Sequence, residues 1–158
     1  MTIQRTQSDV LVDEFQSACS ELRATIAGVP DDKWLAATLG DGRQVNVVGH
    51  HAASAHHYIA DMLQAMANGQ KPSMGMEEIH AGNADHARQF AACSKSETLE
   101  QHDQGAVYAL AILKHLTDEQ LAKQNEFLVG MPMSVEQAVQ GVLIGHPREH
   151  AATIRAAL

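Results

Sequence analysis

Aromatic side chains make up only 4% of this 158-residue chain, and cysteine occurs twice. With so few rings, the interior must be built from Ala, Leu, Val, Ile and the seven Met. Cys19 and Cys93 are too few for a disulfide framework and fit a reducing compartment. Basic residues are also short: 11 Lys and Arg against 19 Asp and Glu give a net charge of −8, with no basic cluster. Such a chain is a poor partner for phosphate backbones or anionic lipid, so neither nucleic acid nor membrane is expected as a ligand. No apolar run approaches the length of a membrane span, and the opening MTIQRTQSDV lacks the apolar core of a signal peptide. The expectation is one soluble, cytoplasmic domain over residues 1–158.

What is present is helical spacing. Ser8 is placed to cap a first helix, along which Leu11, Phe15, Ala18, Leu22 and Ile26 recur at steps of three and four. Gly28 and Pro30 end it, and a loop follows with Trp34 as its large anchor. A second helix runs from about Val45 to Asn68 with the stripe Val48, Ala52, Ala55, Ile59, Met62 and Met66. A third begins near Met76, with Ile79, Asn83, His86 and Phe90 along one side, and breaks or kinks at CSKSE. Leu99, Ala106, Leu110, Leu113 and Leu116 carry a long helix onward. Thr117 with Gln120, and Ser134 with Gln137, have capping-box spacing. The last helix shows Val135, Val139, Val142, His146, His150, Thr153 and Ala157. No segment of alternating polarity competes, so the fold class expected is an all-α four-helix bundle with a longer connection after the second helix.

Histidine is over-abundant: ten residues, about one in sixteen. His146 and His150 are the only pair spaced three or four apart, which stacks both imidazoles on one side of a helix. That side is the apolar one. A buried imidazole needs a partner for its ring nitrogens, and a shared metal ion satisfies two rings at once. Two core histidines bonded to backbone or water are the alternative, and a pair alone does not complete a site. The further ligand is expected from HHAASAHH, where His51 lies at the edge of the inward stripe. His50 and His57 are turned away from that stripe and are read as solvated. Asn83 and His86 interrupt the third stripe and are read either as pocket groups that orient a ligand imidazole or contact substrate, or as a buried polar pair. Pro147 falls between the two paired histidines, after Gly145, and implies either a kink or a new helical segment beginning there.

VNVVGHHAASAH on the second helix, with IGHPREHAATI near the end of the chain, resembles the DinB/YfiT-like four-helix-bundle superfamily. Its helix-two motif V-x-x-V-x-x-H falls on Val45, Val48 and His51, and its late H-x-x-E-H motif on His146, Glu149 and His150. The chain departs from the family in having Thr153 where Gln is frequent, and Pro147 inside the motif. The resemblance implies an up-down-down-up bundle, His51, His146 and His150 as metal ligands, and often a homodimer. It also implies thiol-dependent transferases or isomerases using low-molecular-weight thiols, or metal-dependent hydrolases.

Three imidazoles leave a coordination position open for a small-molecule substrate, as catalytic sites do. All-nitrogen ligation suits a divalent ion, zinc or nickel first and iron next. A metal-dependent hydrolase or thiol (S-)transferase is therefore the leading expectation, and a non-catalytic metal or small-ligand binding stress-response module the alternative. No general base stands out: Glu149 lies about 60° off the ligand face. Cys19 lies beside the first helix's apolar side and is read as a core residue.

Overall fold

The structure, a computed structural model, describes residues 4–158. Four long helical stretches carry it: α1 (Gln7–Ala27), α2 (Val45–Ala67), α4 (Lys95–His115) and a final stretch from Val135 to Ala156. The surface helix α3 (Met76–Gln89) and the one-turn α5 (Asp118–Leu121) lie in the connections. A small antiparallel hairpin, β1 (Gln124–Glu126) with β2 (Pro132–Ser134), occupies the segment before the last helix.

Local chemistry sets the boundaries. Thr6, not Ser8, caps α1: its side chain accepts from the Asp9 N–H, and Asp9 bonds back to the Thr6 N–H. Ser8 is buried instead and donates to the Leu113 carbonyl at 2.7 Å. The predicted break at CSKSE is a full stop, because Ser94 and Glu97 form a capping box that starts α4 afresh. Thr117 and Ser134 cap as their spacing predicts. Trp34 anchors its loop by donating Nε1–H to the Cys93 carbonyl at 2.9 Å.

Helix α1 packs against α4 and the last helix, and α2 packs against the same two. Side-chain pairings give the directions. Gln7 meets Glu136 and Arg155 meets Thr25, so α1 and the last helix are parallel. Ser8 bonds Leu113 and Arg23 bonds Asp103, so α4 runs against α1. Asn46 bonds Ala91 just before α4, and Asp61 pairs with Tyr108, so α2 and α4 are parallel. The result is an up-down-down-up, all-α bundle, with α3 in the crossover between the two parallel helices.

The apolar interior falls into two halves. One gathers Leu11, Phe15, Leu63, Leu113, Val139 and Leu143; the other gathers Leu22, Ile26, Val48, Ala151 and Ile154. Buried histidines of α2, α4 and the last helix lie at the junction.

The last helix is not uniform. It begins as α6 (Val135–Ala138), widens to π geometry over Val139–Ile144, and resumes as α7 (Gly145–Ala156). The Gly145 N–H bonds the Gln140 carbonyl, five residues back. Pro147 has no N–H to return to Leu143, so an uninterrupted α ladder is impossible here, and π turns of this kind cluster at functional sites. Regular geometry therefore resumes two residues before Pro147, with His146 inside the new segment. The buried line becomes Val139, Leu143, Pro147, Ala151 and Ile154, and Val142 and His146 move to its shoulder.

Helices α2 and α4 lie close together at Gly105. A methyl group there would lie 3.1 Å from both the Ala53 carbonyl oxygen and His56 Cβ. Neither can retreat, since one is backbone and the other a fully buried side chain. Gly105→Ala is expected to destabilise the fold by about 1–3 kcal/mol. The urea midpoint should fall with an unchanged m-value; an unaltered midpoint would mean that the helices part freely.

Candidate metal centre

His51 projects from the second turn of α2, and His146 and His150 from α7. His146 Nε2 lies 3.1 Å from His51 Nε2 and 3.1 Å from His150 Nε2. One ring nitrogen of each lies within 4.8 Å of those of the other two. Burial, the other imidazoles and the Arg43 guanidinium push all three down to a pKa of about 3. They are therefore neutral at pH 7, which is the ligand form.

Hydrogen bonding alone does not satisfy this trio. A neutral Nε2 is either one donor or one acceptor. His146 Nε2 faces two nitrogens at equal distance, so either choice fully serves only one neighbour. A cation accepts all three lone pairs. With metal–nitrogen bonds of about 2.0–2.1 Å, nitrogen pairs stand about 2.9 Å apart at a right angle and about 3.3 Å at the tetrahedral angle. The observed 3.1 Å lies between these limits. The residues thus fit a small first-row ion. The Nδ1 atoms of His146 and His150 are buried and bond no protein group, so no hydrogen bond from outside the trio orients these rings.

The three histidines line a cavity of about 250 Å³. Its apolar lining comes from Ile59, Met62, Phe127, Leu128 and Val142. Arg43, Asn83 and Glu149 also reach it, and Glu149 is the only carboxylate among the described lining residues. Arg43 is held by Asp41, whose Oδ2 accepts from its Nε at 2.7 Å. It sits directly before Gln44, the residue that caps α2. A cation is unfavourable at that end of a helix dipole, and this was the sequence signal that could have marked Arg43 as a site residue.

Asn83 and His86 were expected to share one pocket. Asn83 lines the cavity, whereas His86 lies beside it, with its ring centroid 5.7 Å from that of His51. His86 Nε2 is 2.8 Å from His50 Nδ1. The expectation that His50 is solvated is overturned: it is 5% exposed and stacked on Phe90 at 3.9 Å. Helix α3 and the turn after it cover that side of α2. His57 is exposed, stacked on Tyr108. His80 and His115 are exposed as well. Cys19 is buried, and desolvation pushes its thiol pKa up to about 12, far from nucleophilic use at neutral pH. It lies in a second grouping with His56 and His102, which the sequence reading did not foresee.

No protein-family model and no curated protein matches the chain. Among solved structures, a mycothiol-dependent maleylpyruvate isomerase matches with a TM-score of 0.76 at 8% identity. A histidine-to-alanine mutant of that isomerase matches with a TM-score of 0.75 at 8% identity. Each alignment covers 96% of this chain and 63% of the other, so the chain spans less than two thirds of those structures. At this identity the likeness shows the shared helical fold. Among the described residues, no helix is long and apolar enough to cross a membrane.

Proposed function

We propose that this chain is a DinB/YfiT-like metalloprotein that holds a divalent cation on His51, His146 and His150. Zinc or nickel fits best and iron next. The chemistry proposed is that of a hydrolase or thiol (S-)transferase acting on a small molecule, with a low-molecular-weight thiol as partner. The observation that carries this reading is the convergence of three neutral imidazoles in the lining of a cavity that also has apolar residues. A cation held by these three residues would supply Lewis acidity to a bound substrate. The fold of the mycothiol-dependent isomerase supports the thiol assignment.

The protein's own groups divide the remaining work. Arg43, oriented by Asp41, offers its other guanidinium nitrogens to an anionic substituent of the substrate. Asn83 offers an amide to a polar group, and Glu149 is placed to accept or return a proton at the cavity wall. The apolar lining holds the hydrocarbon part and displaces water. Homodimerisation belongs to the same proposal; Val107, 70% exposed beside Tyr108 on α4, supplies an apolar patch for it.

Protein purified without a histidine tag is expected to carry one divalent cation per chain. It should turn over thiol conjugates, esters or amides, lose activity on chelation and recover it on reloading. Arg43→Ala is expected to lower kcat/KM about 10- to 100-fold for substrates bearing a carboxylate, through loss of a charge-assisted hydrogen bond worth ~1.5–3 kcal/mol. Neutral analogues should be unaffected. A chain that binds metal but turns over nothing supports the binding-module reading, which the unpartnered Nδ1 atoms of His146 and His150 favour. A chain that binds no metal ends both.

A further inference from the structure

Cys19, His56 and His102 lie between α1, α2 and α4, each 6% exposed or less. The Cys19 sulfur and one nitrogen of each imidazole are within 4.8 Å of one another. The only contact between them that qualifies as a hydrogen bond joins Cys19 Sγ and His56 Nε2 at 4.0 Å, the outer limit for sulfur. His102 is oriented from behind: its Nδ1 is 3.1 Å from Asp103 Oδ1. Asp103 is in turn gripped by Arg23 through bonds of 2.8 and 3.0 Å. A carboxylate on one imidazole nitrogen leaves the other as a lone-pair donor, the arrangement common behind metal-ligating histidines. That other nitrogen, Nε2, is buried without a hydrogen bond of normal geometry, although the Cys19 backbone lies close to the imidazole. Gly105, one turn past His102, lets α4 approach the Ala53 carbonyl and the His56 side chain closely.

We propose that Cys19, His56 and His102 form a second, closed cation site, and that its ion is a soft monovalent metal of the copper(I) class. Two features select that class. The first is charge. One thiolate and two neutral imidazoles carry −1, so a monovalent ion leaves the site neutral, while a divalent ion leaves a net charge in the apolar interior. Asp103 does not offset it, because Arg23 already pairs with that carboxylate. The second is shape. Sulfur and nitrogen ligands of a tetrahedral ion stand about 3.6 Å apart, and those of a three-coordinate ion about 3.8 Å. The 4.0 Å between Cys19 Sγ and His56 Nε2 is nearer the second, and a soft thiolate is a ligand that copper(I) accepts. On binding, the sulfur–hydrogen bond of Cys19 gives way to a sulfur–metal bond and the proton passes to solvent. No electron is transferred.

The test uses the full chain carrying Cys93→Ser, so that one thiol remains, and His150→Ala, so that the cavity triad does not compete. Copper(I) is titrated anaerobically against bicinchoninate. One equivalent should be retained, with an ultraviolet thiolate-to-metal band and a raised Tm. Adding Cys19→Ser should remove the band and weaken retention at least 100-fold, with the helical circular dichroism preserved. Equimolar zinc should not displace the copper. As a check that leaves the site intact, the copper X-ray absorption edge of the Cys93→Ser, His150→Ala protein should show one sulfur and two nitrogen neighbours. No retained copper, a band that survives Cys19→Ser, displacement by zinc, or a nitrogen-only shell would each overturn the proposal. The cavity triad is disabled throughout, so its own success or failure does not enter the result.

Discussion

Alanine at position 150 is expected to strip the cavity site of its cation, with affinity lowered by at least 100-fold. Removing groups that merely orient a ligand typically costs 10–100-fold, and here a donor itself is lost. His51 and His146 remain as a pair on two helices, too few to close a site. The substitution should not harm the metal-free fold. His150 is buried with an unpartnered Nδ1, so its loss relieves an unmet polar group while leaving a small void. Metal content by mass spectrometry and competition with a chromophoric chelator measure the first effect, and thermal unfolding in chelator measures the second. A variant that retained one cation at undiminished affinity would place the site elsewhere.

Mild acid is expected to unfold the metal-free protein. His51, His56, His146 and His150 are each held down to a pKa of about 3 by burial, against 6.5 in an open chain. Between those values the unfolded chain binds protons that the folded chain refuses. Stability is therefore fully present above about pH 6.5 and falls as pH drops toward 3. Each histidine adds a slope of up to about 1.4 kcal/mol per pH unit, so four together reach about 5–6. A domain stable by ~5–15 kcal/mol loses its margin within about one to three units of pH 6.5. Asp103, held to about 2 by Arg23, acts only below its ordinary 3.8 and does not contribute in this window. Urea midpoints at pH 7.5, 6.5 and 5.5 in chelator should fall in step. Bound metal should shift the fall to lower pH, because a proton and a cation compete for the same lone pairs. A flat profile from pH 7.5 to 5.5 in the metal-free protein would contradict the burial of neutral imidazoles.

Much of the scaffold was legible in the chain. Capping residues with apolar steps of three and four placed the long helices, because both signals are local and follow from backbone geometry alone. The same steps put His51, His146 and His150 inward. His50 was misread because a single-stripe reading assumes a solvent face opposite the core. The first half of α2 has almost none: residues 45–53 are all buried, with α4, α7 and α3 around them. The trio of Cys19, His56 and His102 went unseen because its members are distant in sequence and meet only when helices pack, whereas Arg43 had a local signal in its place before the Gln44 cap. The π turn was equally hidden, although Pro147 marked the strain that it accommodates.

The sequence by itself determined that the chain is helical, acidic and rich in imidazole, and that its long helices carry apolar stripes, since these rest on composition and on a period of 3.6. The tertiary structure decided which inward imidazoles meet. That depends on helix direction, on the close approach at Gly105, and on a widened turn that moves His146 and Val142 to the shoulder of the core. Distances of 3.1 Å between nitrogens almost a hundred residues apart are set by packing, and no local pattern encodes them.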